Sequence, residues 1–178
     1  MTDKPELKIL TIGHSTRTLA EFIELLKANA VVEVVDIRTV PRSRYNPQFN
    51  KDTLPIALAH ENIKYRHLPG LGGLRKPRSD SRNIAWQNKT FRGFADYMQT
   101  TEFISNLNRL IQAAALNQVV LMCAEAVPWR CHRSLIADAL LVRHIQVDHI
   151  IDEDNRISHK LTPWAKVDGI HVSYPARA

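Results

Sequence analysis

Hydrophobic positions along this chain follow two rhythms, and the rhythms alternate. LKILTIGH, residues 7–14, is a short apolar run that ends in Gly-His-Ser and predicts a buried strand. Thr16 or Thr18 can cap a helix behind it, where Leu19, Phe22, Ile23, Leu25 and Leu26 recur at helical spacing. VVEVVDIR, residues 31–38, is β-branched and apolar up to Asp36, which predicts a second buried strand. TVPRSRYNPQFN follows, where two prolines break regular structure among crowded polar residues. A helix is expected over residues 51–61, and IKYRHL, residues 63–68, alternates as a third strand.

PGLGGLRKPRSDSRNIAWQNKT is the longest irregular stretch, and residues 70–90 read as a long loop or lid. Helices are expected over residues 91–98 and 102–115, then a fourth strand in QVVLMCAE, residues 118–125. A helix over residues 131–143 and a fifth strand in IQVDHIID, residues 145–152, complete the pattern. Residues 153–178 form a polar C-terminal tail with little periodicity, and no internal repeat or linker divides the chain, so 1–178 reads as a single α/β domain.

Strands that are nearly continuous apolar runs, alternating with helices, imply a mostly parallel sheet covered on both faces. The expected architecture is a doubly wound, five-stranded, three-layer α/β/α fold with strand order 3-2-1-4-5. In such folds a ligand lies beyond the carboxyl ends of the strands, where strand order reverses. That rule brings Gly13-His14-Ser15, Asp36 to Arg38 and Cys123-Ala124-Glu125 to one rim, although they are far apart in sequence.

Composition changes this picture modestly. At 178 residues the chain is long enough to bury a core, and 44% hydrophobic with 24% charged residues is ordinary for a globular protein. No run of eighteen apolar residues predicts a membrane span. MTDKPELKILTIGHS lacks the pattern of an export signal, and with only two cysteines a reducing cytoplasm and free thiols are expected. The net charge of +6 favours anionic partners, a phosphorylated small molecule or nucleotide first and nucleic acid second. Arg38, Arg42, Arg44, Arg75, Arg78, Arg82 and Arg92 all fall in or beside expected loops.

LMCAEAVPWRCHRSLIADAL, residues 121–140, concentrates the candidate chemistry. A tyrosine-phosphatase loop needs Cys, five residues, then Arg, but here six residues separate Cys123 from Arg130. The loop has no glycine, and Pro128 removes a backbone donor. A rhodanese-like loop meets the same objections. Anion binding at the helix start is a second possibility. Cys131, His132 and Ser134 would lie at its positive end, Arg130 and Arg133 would add bidentate contacts, and a thiol there would be activated. The plain alternative is that Cys131 packs as a small hydrophobe and His132 caps.

Cys123, Cys131, His132 and His14 also hold zinc-type donor atoms, but their spacing matches no recognised finger, and neither a metal nor a cofactor is expected. A Cys/His metal-binding protein stays open as a further alternative. Asp36 and Glu125, ending buried strands, can serve as acid and base. Equally, each can pair with an arginine, Asp36 with Arg38 or Arg42 and Glu125 with Arg133. Tyr45 and Phe49 among arginines suit stacking on single-stranded nucleic acid, and also suit a solvated loop with aromatics turned inward.

TIGHS, VVDIRTVPRSRYNPQFN, LPGLGG, FRGFADYM, LMCAEAVPWRCHRSLIADAL and HIID, in this order, resemble domain-of-unknown-function family 488, over residues 7–152. The resemblance implies an α/β fold and treats Gly13, His14, Ser15, Asp36, Arg38, Pro41, Ser43, Arg44, Cys123, Glu125, Cys131, His132 and Arg133 as one site. It implies no reaction.

The resulting expectation is an enzyme-like domain, a hydrolase or transferase, with Cys123 as nucleophile. Glu125 or Asp36 would act as acid/base assisted by His14. Ser15, Arg38, Arg42, Arg44, Arg130, Cys131, His132 and Arg133 would hold the anion. The competing class is a nucleic-acid-binding module that uses the same arginines without catalysis.

Overall fold

The computed structural model describes residues 6–177, so Met1–Pro5 of the stretch read for an export signal lie outside it. Its centre is a six-stranded sheet of β1 (Lys8–Gly13), β2 (Glu33–Asp36), β3 (Lys64–His67), β4 (Val119–Cys123), β5 (Gln146–Ile150) and β6 (Arg156–Ser158). Five strands run parallel and β6 pairs antiparallel with β5. Helices α1 (Leu19–Ala28), α2 (Leu54–His60), α3 (Lys89–Tyr97), α4 (Thr101–Leu116) and α5 (Arg133–Leu141) cover its two faces. This is the expected three-layer α/β/α arrangement.

The strand order corrects the expectation. It is β3-β2-β4-β1-β5-β6, with β4 inserted between β2 and β1 rather than beyond β1. β4 is buried at all five positions and β1 at five of six, so both belong at the centre. Hydrophobicity alone does not rank two equally apolar central strands. The chain moves outward from β1 to β3, then turns back into the gap left beside β1. Alternation splits the core accordingly. Leu10, Ile12, Val34, Val120, Met122 and Ile150 pack with α1 and α2 through Phe22, Leu26, Leu54 and Leu58. Ile9, Val35, Leu121, Cys123 and Val147 face α3, α4 and α5 through Phe94, Phe103, Leu107 and Leu135. Thr18 caps α1 with a reciprocal capping box to Glu21, as its sequence suggests.

The two segments read as an irregular loop or lid and a polar tail are tied down. In the long loop, Asp96 of α3 accepts from Arg78 N, Ser81 Oγ and Asn83 Nδ2, at 2.7–2.8 Å. Trp86 stacks on Phe91 at 4.9 Å. The tail supplies β6 and a hairpin of β7 (Lys166–Asp168) and β8 (His171–Ser173), and Tyr174 beyond it is fully buried. Its phenol donates to Asp138 Oδ2 at 2.7 Å and its amide to Asn83.

Asp138 also ends a buried chain of hydrogen bonds. Thr11 Oγ1 meets His149 Nδ1 at 2.6 Å, His149 Nε2 meets His159 Nδ1 at 3.0 Å, and His159 Nε2 meets Asp138 Oδ1 at 2.8 Å. Thr11 as first donor satisfies every group with both rings neutral. Burial lowers the His149 pKa to about 3, in keeping with that assignment.

Candidate active site

β1, β2 and β4 deliver their carboxyl ends side by side. His14 N donates to Cys123 O and Ser15 N to Ala124 O, while Ile37 N donates to Met122 O. Gly13 permits the approach, because a Cβ there would lie 1.9 Å from Glu125 O. Beyond the three ends opens a cleft of about 510 Å³. β1 and β4 send their following helices to opposite faces, which makes this the crevice at which such sheets bind ligands.

Arg133 dominates the floor. It is fully buried, and its Nη1 donates to Cys123 Sγ at 2.6 Å and to Glu125 O, while Nη2 donates to Ala126 O at 3.0 Å. Its guanidinium is therefore committed to the loop after β4, and it shapes the cleft from beneath rather than reaching for a ligand. Cys123 and Cys131 are free thiols with sulfurs 2.9 Å apart, and both face the cleft. Burial pushes the Cys123 thiol up, but the Cys131 hydrogen bond and the Arg133 charge outweigh it and hold the pKa at about 7. Cys131 is pushed well above the ordinary thiol value, first by its bond to Cys123 and then by burial.

The helix expected from residue 131 begins at Arg133, after a 3₁₀ turn over Pro128–Arg130. Its first amides already have acceptors: Arg133 N the Cys131 sulfur, Ser134 N the Cys131 carbonyl and Leu135 N the His132 carbonyl. This helix start is not the open anion cradle envisaged from the sequence. His132 does not cap it through its side chain. Its Nε2 lies 2.9 Å from Leu71 O, and a carbonyl can only accept, so Nε2 carries the proton. The Nδ1 lone pair then faces Cys131 Sγ at 3.6 Å. Burial lowers the His132 pKa to about 4, so the ring is neutral.

Asp36 sits beneath the rim as a scaffold. It is fully buried and accepts from Arg38 Nε at 2.9 Å, Arg38 Nη2 at 2.7 Å and the Tyr65 hydroxyl at 2.5 Å. Of the two sequence readings, the arginine pair is the one present. Arg38 Nη2 also donates to Phe49 O, and Nη1 lies 3.3 Å from His14 Nε2. His14 Nδ1 meets Ser15 O at 2.9 Å, so the proton is on Nδ1 and Nε2 accepts from Arg38. The His14 ring stacks on Phe49 at 4.4 Å, and its pKa is lowered chiefly by burial.

The Glu125 carboxylate is exposed and caps Val127 N at 3.1 Å; Arg133 holds its main-chain oxygen, not its side chain. Arg42 and Arg130 are exposed and line the cleft. Ser15 and Arg44 are not among the lining residues. Among the described residues, no three His, Cys, Asp or Glu side chains are arranged to hold a metal ion.

The wall opposite comes largely from the segment read as a long loop or lid, though none of its residues was named as part of the site. Gly73, Leu74, Asn88, Thr90 and Phe91 line the cleft from the long loop and the start of α3. Gly73 lies so close to His132 that a Cβ would stand 2.5 Å from Nδ1. The Gly-Gly pair in LPGLGG was the available signal. Tyr65 pairs in register with Val34, and its hydroxyl reaches diagonally to Asp36, a contact no sequence signal marked.

The family model for the domain of unknown function DUF488 matches residues 18–140, which leaves His14, Ser15 and the HIID motif outside the match. No curated protein and no solved structure matches the chain. No helix among the described residues is long and apolar enough to cross a membrane. With well over half of its length under that model, and the motif that carries both cleft cysteines inside it, the chain belongs to the DUF488 family.

Proposed function

We propose that this protein is an enzyme that takes a small phosphorylated or nucleotide-type anion into the rim cleft and attacks it with the Cys123 thiolate. The reading rests on the 2.6 Å contact between Arg133 Nη1 and Cys123 Sγ, which favours the charged sulfur at neutral pH. Arg42 and Arg130, both exposed at the cleft, are the groups to hold the anion, with Arg38 fixed behind them by Asp36. Glu125 is the acid/base candidate, being the cleft carboxylate with water access. The reaction is then a hydrolysis or group transfer through a covalent intermediate on Cys123, in a cytoplasm that keeps both thiols reduced.

The test is alkylation of Cys123 by iodoacetamide in the presence of inorganic phosphate, nucleotides and sugar phosphates, read by mass spectrometry. Protection of Cys123, with a matching thermal shift that survives Cys123→Ser and disappears in the Arg42→Ala, Arg130→Ala double variant, is the expected result. No protection and no shift from any of these anions would remove the reading.

One observation favours a second reading, single-stranded nucleic acid. Tyr45 is 87% exposed and Trp129 63% exposed, each beside an exposed arginine. Binding of short DNA or RNA that weakens steeply with salt and is unchanged by Cys123→Ser would support it.

A further inference from the structure

The preceding reading uses one of two adjoining thiols. We propose that Cys123 and Cys131 together form a redox-active dithiol that reduces small disulfides bearing carboxylates, through a mixed disulfide on Cys123 resolved by Cys131. The proposal rests on the Cys123 thiolate assigned above, but not on a phosphorylated substrate.

The arrangement is asymmetric in the way such chemistry needs. The sulfurs are 2.9 Å apart, and both line the same cleft. Either thiol can donate in the contact between them, and with Cys123 in the thiolate form that Arg133 Nη1 favours, Cys131 contributes the S–H. Around Cys131 stand Arg133 N at 3.5 Å and the unprotonated His132 Nδ1 at 3.6 Å. The guanidinium on one sulfur and the ring lone pair beside the other give the two thiols different surroundings.

The steps balance. The Cys123 thiolate attacks one sulfur of the substrate R–S–S–R, the S–S bond breaks, and R–S⁻ leaves. Cys123 is now a neutral mixed disulfide and no longer accepts from Cys131. The Cys131 S–H turns to His132 Nδ1, whose other nitrogen is already committed to Leu71 O. The interactions that held Cys131 protonated, its bond to Cys123 and that sulfur's charge, are gone, while the Arg133 charge and amide still favour a thiolate. Its proton passes directly to the departed R–S⁻ in the cleft, with His132 Nδ1 orienting the S–H. Cys131 then attacks Cys123 Sγ, and the second R–S⁻ leaves. One substrate disulfide is reduced to a thiol and a thiolate, and two cysteines are oxidised to one internal disulfide.

Charge selects the substrate. Arg38, Arg42, Arg130 and Arg133 surround or underlie the sulfurs, against the carboxylate of Glu125 at the mouth. A disulfide carrying carboxylates is drawn in, and one carrying ammonium groups is repelled.

The experiment uses the full reduced chain in single-turnover reactions with 3,3′-dithiodipropionate or cystamine, followed by intact mass and peptide mapping. Wild type should lose the two thiol hydrogens and yield a Cys123–Cys131 crosslink. The anionic compound should react at least about tenfold faster at low salt, with the ratio shrinking as salt rises. Cys131→Ser should stall with the compound attached to Cys123, and Cys131→Ala repeats the test should the serine variant misfold. Absence of the crosslink in wild type, adducts at Cys131 instead, or equal rates for the two compounds would each overturn the proposal. Phosphate protection of Cys123 is measured separately on the same samples. If it persists without a crosslink, the dithiol fails and the anion site stands.

Discussion

Arg133 Nη1 donates to Cys123 Sγ at 2.6 Å while Nη2 of the same guanidinium holds Ala126 O at 3.0 Å. One buried cation thus fixes the path of the loop after β4 and sets the charge of the sulfur at its base. The two roles separate under substitution. Arg133→Lys keeps a cation but loses the fork that reaches two carbonyls and a sulfur. The pH profile of iodoacetamide alkylation should give a Cys123 midpoint near 7 in wild type and move upward in Arg133→Gln, towards the ordinary thiol value. An unchanged midpoint would mean that Arg133 only braces the loop.

Asp36→Asn should cost about 3–5 kcal/mol in urea unfolding, because it leaves the buried Arg38 guanidinium without its anion. Tyr65→Phe, which removes one donor to the same carboxylate, should cost about 1 kcal/mol. An Asp36→Asn protein of wild-type stability that has lost ligand turnover would restore the acid/base role that the geometry denies it.

Gly13→Ala should destabilise by about 2 kcal/mol or more, since its Cβ would meet Glu125 O, main chain that cannot swing aside. Gly73→Ala would meet the His132 ring instead. A smaller loss of stability is expected there, together with slower formation of the Cys123–Cys131 crosslink as the ring is displaced from Cys131. Circular dichroism melts and the crosslinking time course separate the two.

Stability should fall as pH drops below about 6.5. His132 and His149 have folded values of about 4 and 3 because burial disfavours their charged forms. Below 6.5 the unfolded chain takes up protons that the folded chain does not, so the contribution is complete above that value and is lost on the way to pH 4 and 3. Each tenfold difference in proton affinity corresponds to about 1.4 kcal/mol. Urea midpoints at a series of pH values should show the fall, and His149→Gln should flatten it. A flat wild-type profile from pH 7 to 4 would contradict neutral, buried rings.

The layers, the five parallel strands and the convergence of His14, Asp36 and Cys123 on one rim were legible, because period and burial set them locally. The order of β1 and β4 was not, since both read equally well as buried central strands. The roles of the polar residues were legible only in part. Arg133 looked like an anion contact, and no spacing rule reveals that a side chain points back at carbonyls of its own loop. The loop of residues 70–90 looked slack because Asp96, which gathers it, lies on a separate helix. The tail looked featureless for a similar reason: Tyr174 and His159 acquire meaning only against Asp138.

The position of β1 also bears on how the chain is made. β1 lies between β4 and β5, whose partner residues 120–123 and 146–150 are synthesised after it and last among the parallel strands. Both its hydrogen-bonded edges stay open until then, an apolar ribbon awaiting neighbours more than a hundred residues downstream. Nascent chains stalled before residue 119 should therefore be readily cut by protease and held by chaperones, and the thiols should come together only after β4 and the start of α5 have emerged.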